Sequence, residues 1–544
     1  MSFEVTCKDL LGRIGRIETK SGRIETPHLL PVVNPLIQPI NSRDILTIFK
    51  CNAIITNAYL VRKNFRDEAL ATGIHGLLGF EGVVVTDSGA YQILEYGHVD
   101  VQPEEIVEFQ EAIGTDIAVI LDVPTGWSRK KSVAEYTVKE TIRRADLSLK
   151  LFRRSDILWE GPIQGGVFLD LVATSAREMS RRPFDIYSLG SPTPIMERYM
   201  FDRLVDMIMT AKMNLPPSKP LHLFGAGHPM MLALAAALGC DLFDSASYAI
   251  FARQGRYLTE TGTLRLSEVE YFPCSCPICQ TNTPSEMRRL DKAVIERKLA
   301  EHNLHVCLEE IRRIKQAILE GRLWELVEVR ARSHPSLLQA LNAVRKYGDF
   351  IEKHSPMTKR RGLFYVGPHG LSRPEFLRHK IRMTERYSRP GSATILLLSP
   401  FNRGALRAAG QQNSAFGTLL SNRRVHVCLY GSPYGLIPIE ISDVYPLAQT
   451  EFPSSMDSET ERYALDQIRG YVATSDYKAV IVSAKGDLFS RRLMSLLRRL
   501  PSIFVRKIQV TQGEEPAWRS DALARLLNTA GRRRRARNPR RSLH

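Results

Sequence analysis

The sequence has no long apolar run. Its most apolar stretch, residues 230–238, is too short to cross a bilayer, so no membrane-spanning helix is expected. The opening residues Met1-Ser2-Phe3-Glu4 lack a basic region followed by an apolar core, so no secretory signal is read there. Cysteine is scarce: eight in 544 residues, unevenly spaced, which excludes a disulfide framework. Acid is the minority charge, 58 acidic against 75 basic residues, for a net +17. That excess points to a polyanionic partner, with nucleic acid foremost. Repeats of roughly 20–50 residues are missing, which excludes a solenoid. What is present, 44% hydrophobic and 24% charged residues, is the profile of an ordinary globular protein. A cytoplasmic, reducing location is the expectation.

Eight short runs rich in Leu and β-branched residues stand out: 29–33, 53–56, 82–86, 116–121, 162–168, 185–189, 221–224 and 241–243. Their length and composition fit buried parallel strands. Amphipathic helical patterns lie between them, as at 103–113 and 133–152. The count and span predict an α/β fold, a (β/α)8 TIM barrel. Long helical patterns follow at 284–320 and 323–345, then a Pro- and Gly-containing break near 352–370. The expected organisation is a barrel domain over 1–350 with a metal segment at 271–310. Smaller α+β domains follow at 351–435 and 436–510, and a basic tail, expected to be disordered without its partner, at 511–544. Residues 531–544 alone hold seven arginines.

Cys274, Cys276 and Cys279 place three thiols within six residues. Zinc takes four ligands in a tetrahedron and accepts thiolates readily. His302 is the next histidine and would close the site as a structural zinc centre. Reduced buried cysteines, or an iron–sulfur cluster using Cys307, are the competing readings. His305 reads as a satisfied helix histidine. Cys7, Cys51, Cys240 and Cys428 read as small core residues.

Polar residues close nearly every candidate strand: Asp87-Ser88, Asp122, Gln164-Gly165, Leu189-Gly190-Ser191, Gly225–Gly227 and Asp244-Ser245. A single Asp after a strand can merely cap a helix. In a barrel, however, all these ends face one mouth, where catalytic groups sit.

The strings TDSGAYQ (86–92), LDVPT (121–125), IQGGVF (163–168), YSLGSPTP (187–194), GAGHPMM (225–231), LFDSASY (242–248) and YFPCSCPIC (271–279), with HNL at 302–304, resemble the archaeal tRNA-guanine transglycosylases. The likeness covers essentially 3–345 and continues weakly in 359–368 and 438–447. It implies a zinc-bearing (β/α)8 barrel that exchanges the tRNA D-loop guanine at position 15 for 7-cyano-7-deazaguanine (preQ0) in archaeosine biosynthesis. By match to the motifs, Asp244 corresponds to the nucleophile and Asp87 to the general acid/base. Asp122, Gln164, Gly165, Leu189 and Gly190 correspond to base-recognition positions, with Ser88 and Asn57 nearby. Double displacement through a covalent ribosyl–aspartate suits such chemistry.

The implied partners are tRNA, guanine and preQ0, with a homodimer. The terminal RNA-binding module usual in the family has no recognisable pattern after Thr511, so the arginine tail or a separate chain would replace it. Basic segments at 359–361, 378–382 and 532–541 are the candidate phosphate contacts. Three other readings compete: an archaeosine-synthase-like paralogue, a non-catalytic tRNA-binding subunit, and a small-molecule barrel enzyme such as an aldolase. The intact pair Asp87 and Asp244 and the three cysteines speak against the first two. The strand ends offer no Schiff-base lysine or metal for the third.

Overall fold

The computed structural model describes residues 3–90, 101–401, 422–484, 486–500 and 504–509. Tyr91 and Gln92, the end of the first motif, and the arginine tail fall outside the described residues. The chain divides into two compact units, Met1–Arg360 and Arg361–His544.

The first unit opens with an antiparallel meander that the sequence reading did not anticipate: β1 (Glu4–Asp9), β2 (Gly12–Thr19) and β3 (Gly22–Glu25). Eight parallel strands follow: β4 (His28–Pro31), β5 (Ala53–Asn57), β6 (Val83–Asp87), β7 (Ile117–Val119), β8 (Leu158–Ile163), β9 (Ile186–Leu189), β10 (Leu221–Leu223) and β11 (Leu242–Ser245). They neighbour one another in the order β4-β11-β10-β9-β8-β7-β6-β5. A parallel bridge between Val32 and Ile55 joins the two ends and closes the barrel. Inward-facing Leu30, Ile55, Val83, Val85, Ile117, Leu158, Ile186 and Leu242 fill its lower interior. Ile17 and Ile24 of the meander join the same cluster, so the hairpin plugs the end of the barrel opposite the carboxyl ends of its strands.

Seven of the eight expected strands fall where the apolar runs lie. The fifth is displaced: the run at 162–168 is mostly loop, and the strand is Leu158–Ile163. Glu160 and Gly161 interrupt the apolar pattern there and disguise it. Two breaks divide the long helical patterns. The helix Pro284–Arg288 ends before Lys292–Glu320 begins, with Asp291 between as cap. Leu323–Ala331 stops before Pro335–Val344, because Pro335 lacks the N–H to continue and fits the first turn of a new helix.

In the second unit, the strands Ile395–Pro400, Val425–Gly431, Gly435–Pro438, Ala479–Ala484 and Phe504–Gln509 form one sheet in the spatial order third, second, first, fourth, fifth, parallel except for Gly435–Pro438. Strands on both sides of residue 435 share this sheet, and the unit boundary lies at 360/361. The expected division into 351–435 and 436–510 is therefore replaced by a single sheet domain. A short parallel pair, Leu363–Phe364 with Thr450–Glu451, belongs to the same domain.

Among the described residues, no helix is long and apolar enough to cross a membrane.

Candidate active site and metal centre

Asn57 and Asp87 end neighbouring strands and face each other in register. Asn57 accepts the Leu60 N–H at 2.9 Å and donates through Nδ2 to Asp87 Oδ2 at 3.2 Å. Burial pushes the Asp87 carboxyl up to about 7, and the negative charges of Asp122 and Asp244 push it in the same direction. Such an acid can give and take a proton near neutral pH. The adjacent Ser88 hydroxyl is buried without a hydrogen-bond partner among the described residues.

Asp122 lies three residues past β7 and is 4% exposed. Burial raises its carboxyl to about 6, against the opposing hydrogen bond from Gln164. Gln164 Nε2 donates to Asp122 Oδ2. Its carbonyl oxygen accepts from the Thr125 N–H at 2.9 Å and the Ser191 hydroxyl at 3.0 Å. Gly190 presses on this amide: a Cβ there would stand 2.2 Å from Gln164 Nε2. Gln164 thus orients Asp122. The Gly165 N–H is taken by Thr125 Oγ1 at 3.1 Å, and that of Gly190 by the Ile163 carbonyl at 2.9 Å. These two N–H groups are spent within the protein.

Asp244, in β11, accepts the Gly225 N–H on Oδ1 at 2.8 Å. His222 Nε2 lies 3.2 Å from the same oxygen. On its other side, His222 Nδ1 is 2.9 Å from Glu160 Oε1. Burial alone would lower the imidazole, but Glu160 and Asp244 outweigh it and raise it to about 10. Neither Glu160 nor His222 was singled out from the sequence. The available signal was a lone charge or imidazole inside an apolar strand, in LWEGPI and LHLF.

The second constellation is the predicted cysteine–histidine cluster. The ligand atoms of Cys274, Cys276, Cys279 and His302 all lie within 4.8 Å of one another. Three thiolates and one imidazole held this closely fit a tetrahedral metal ion. His302 Nδ1 is 3.4 Å from both Cys276 and Cys279 Sγ. Its Nε2 donates to the Leu258 carbonyl at 2.9 Å, which fixes the ring as an outer-shell partner does. Tyr257 stacks on the imidazole at 3.7 Å. Cys307 sits apart, its thiol directed at the Gly227 carbonyl at 3.3 Å, so it is not the fourth ligand. His305, on the same helix as His302, packs on Phe49 at 4.5 Å.

The helix Lys292–Glu320 carries more than His302. Asn303 accepts the Leu258 N–H at 2.8 Å and donates to the Tyr248 carbonyl at 3.2 Å and the Arg256 carbonyl at 3.1 Å. One helix therefore holds the cysteine–histidine cluster, the segment after Asp244 and, through Cys307, the loop after β10.

Two basic candidates are withdrawn from a polyanion. The Lys359 side chain is 3% exposed and pairs with Asp9 at 2.7 Å. Arg378 is also buried.

A family model described as queuine tRNA-ribosyltransferase matches residues 7–336. A second model, for a domain of unknown function, matches residues 376–529. Among curated proteins, the tRNA-guanine(15) transglycosylase of Methanocaldococcus jannaschii is 45% identical over 85% of this chain and 70% of its own length. That of Methanococcus vannielii is 42% identical over 88% of this chain and 74% of its own. That of Methanothermobacter thermautotrophicus is 39% identical over 86% and 71%.

Proposed function

The chain belongs to the queuine tRNA-ribosyltransferase family, and from that premise we propose that it exchanges the guanine at position 15 of tRNA for preQ0 in archaeosine biosynthesis. The choice of position follows the names of the relatives. The observation that carries the chemistry is the meeting of Asp87, Asp122 and Asp244 at one barrel mouth, close enough for the other two charges to raise Asp87.

In this reading Asp244 attacks the ribose C1′ as the glycosidic bond breaks, and the departing purine takes a proton from Asp87. The incoming base returns a proton to Asp87 and displaces Asp244. Two inversions retain configuration and leave the strand intact. Asp122 accepts from the guanine N1–H and amino group. Gln164 holds Asp122 and serves the carbonyl edge, beside the backbone at Leu189 and Gly190 and the Ser88 hydroxyl. A buried edge built this way rejects adenine, whose groups would leave these partners unpaired. The flipped base costs a few kcal/mol to unstack, offset by phosphate contacts to basic side chains.

The cysteine–histidine cluster would hold a structural zinc, since four protein ligands leave no open position for substrate. The reading includes a cytoplasmic homodimer that captures tRNA through the basic tail or a separate RNA-binding chain. Sedimentation with and without tRNA tests the assembly.

The deciding experiment is incubation with preQ0 and unmodified tRNA, followed by mass mapping of the nucleosides. PreQ0 at position 15 is the expected product. Unchanged tRNA, or modification at another position, overturns the proposal.

A further inference from the structure

Glu160 and His222 are fully buried side chains inside the barrel, at 0% exposure each. Glu160 lies in β8 opposite Ile186, and His222 in β10 opposite Ser188 and Leu242. The intervening strand is β9, so the two come from alternate strands, the arrangement that puts side chains in one interior layer. They lie above the aliphatic plug that contains Leu158, Ile186 and Leu242. Packing does not explain a glutamate there, because a buried carboxylate costs several kcal/mol unless paired. Its partner is the His222 imidazole at 2.9 Å. With Nδ1 held by Glu160 and Phe224 against the ring at 4.7 Å, the imidazole is fixed in orientation.

The other ring nitrogen makes an ion-pair contact with Asp244 Oδ1 at 3.2 Å, at an angle outside hydrogen-bond geometry. The Gly225 N–H reaches that same oxygen at 2.8 Å. Among the described residues, the hydrogen bond and ion pair to Asp244 both fall on Oδ1.

We infer that His222, held by Glu160, is a positioning residue for Asp244, fixing Oδ1 so that Oδ2 is the atom that attacks the ribose C1′. The inference rests on the transglycosylase reading. An Oδ2 lone pair forms the C1′–O bond while the electrons of the C1′–N9 bond leave with the purine. No proton passes through His222. Asp244 loses its charge as the ester forms, and His222 is then still paired with Glu160, so no lone cation is stranded in the interior. When the incoming base displaces Asp244, the same imidazole stabilises the carboxylate that reappears. The charged groups around His222 are Glu160 from β8 and Asp244 from β11, with Asp87 and Asp122 beyond them at the mouth.

The test compares the parent enzyme with Glu160→Gln and His222→Gln in labelled-guanine exchange into tRNA, from about pH 4 to 8. Each variant is expected to lose about 10- to 100-fold in kcat, with the tRNA KM within a few-fold. Loss of the positive neighbour also moves the acid limb of the profile to higher pH, because a carboxylate that loses a cationic partner is protonated more readily. A purely structural role would lower the melting temperature and leave that limb in place. An unmoved limb therefore overturns the inference even if activity falls. If either variant fails to fold, 15N NMR of the parent decides: one imidazole is expected to keep both ring protons above about pH 8, and its absence overturns the inference. A parent that exchanges guanine while both variants match it sinks the inference alone. A parent that does not exchange sinks the function reading, and the inference with it.

Discussion

The cysteine–histidine cluster and the barrel mouth differ in how far apart along the chain their parts lie. Three of the four cluster ligands fall within residues 274–279 and the fourth is His302. The mouth and the layer beneath it gather Asn57, Asp87, Asp122, Gln164, His222 and Asp244 from six different strands or the loops that follow them. The cluster is thus set by local spacing and one helix. The mouth exists only once the strands are in register. Disturbing the cluster is expected to act on stability first, and disturbing the mouth on chemistry first.

The sharpest break in this contrast would come from Asp244→Ala. Exchange is expected to fall by a factor on the order of 10⁴ or more, with tRNA affinity within a few-fold, read by labelled-guanine uptake and filter binding. Retained exchange would remove the covalent centre from the mouth. Next, Asp122→Asn is expected to lower kcat/KM for guanine by roughly 10²–10³. It also removes a negative charge beside Asp87. A like charge disfavours ionisation, so without it Asp87 deprotonates at lower pH and the basic limb of the rate profile moves to lower pH. Burial is the larger cause and remains, so the shift is partial.

On the other side, Cys276→Ala is expected to reduce bound metal to background and lower the melting temperature, measured by elemental analysis and calorimetry. Undiminished metal content would show that the cluster is not a metal site. Gly190→Ala is a finer probe of the mouth. Its methyl must displace the Gln164 amide, and a loss of about tenfold in kcat/KM is expected with the fold intact. The smallest effect is expected from deleting residues 532–541, a modest loss of tRNA affinity with a flatter salt dependence. An unchanged salt slope would leave that segment out of tRNA capture.

Legibility in the sequence followed the same contrast. CSCPIC announces its own ligands by spacing, and the helical pattern after it supplies the histidine. The barrel was readable because each strand is an apolar run followed by a polar residue, as at VVVTD and LFDS. Gln164 and Asp122 were found as separate strand ends. Their hydrogen bond was not, because pairing across loops depends on register. Glu160 was missed because its charge breaks the run LWEGPI, which moved the expected strand four residues downstream and hid the glutamate in an assumed loop. His222 looked like an ordinary interruption of LHLF. Both are polar exceptions within apolar strands, and their partnership crosses β9. The meander at the amino terminus was unread for a different reason: β2 and β3 set isolated isoleucines among charges and glycines, and of these Ile17 and Ile24 pack against the barrel interior.

The helix Lys292–Glu320 ties the two regions together. His302 answers to the cysteines, while Asn303 and Cys307 grip the backbone at Tyr248 and Gly227, on either side of Asp244 in the fold. Warming a demetallated sample would then slacken the walls of the cavity while the eight strands still hold. Turnover is expected to fade at a lower temperature than the cooperative melt, and resupplied metal to bring the two temperatures back together.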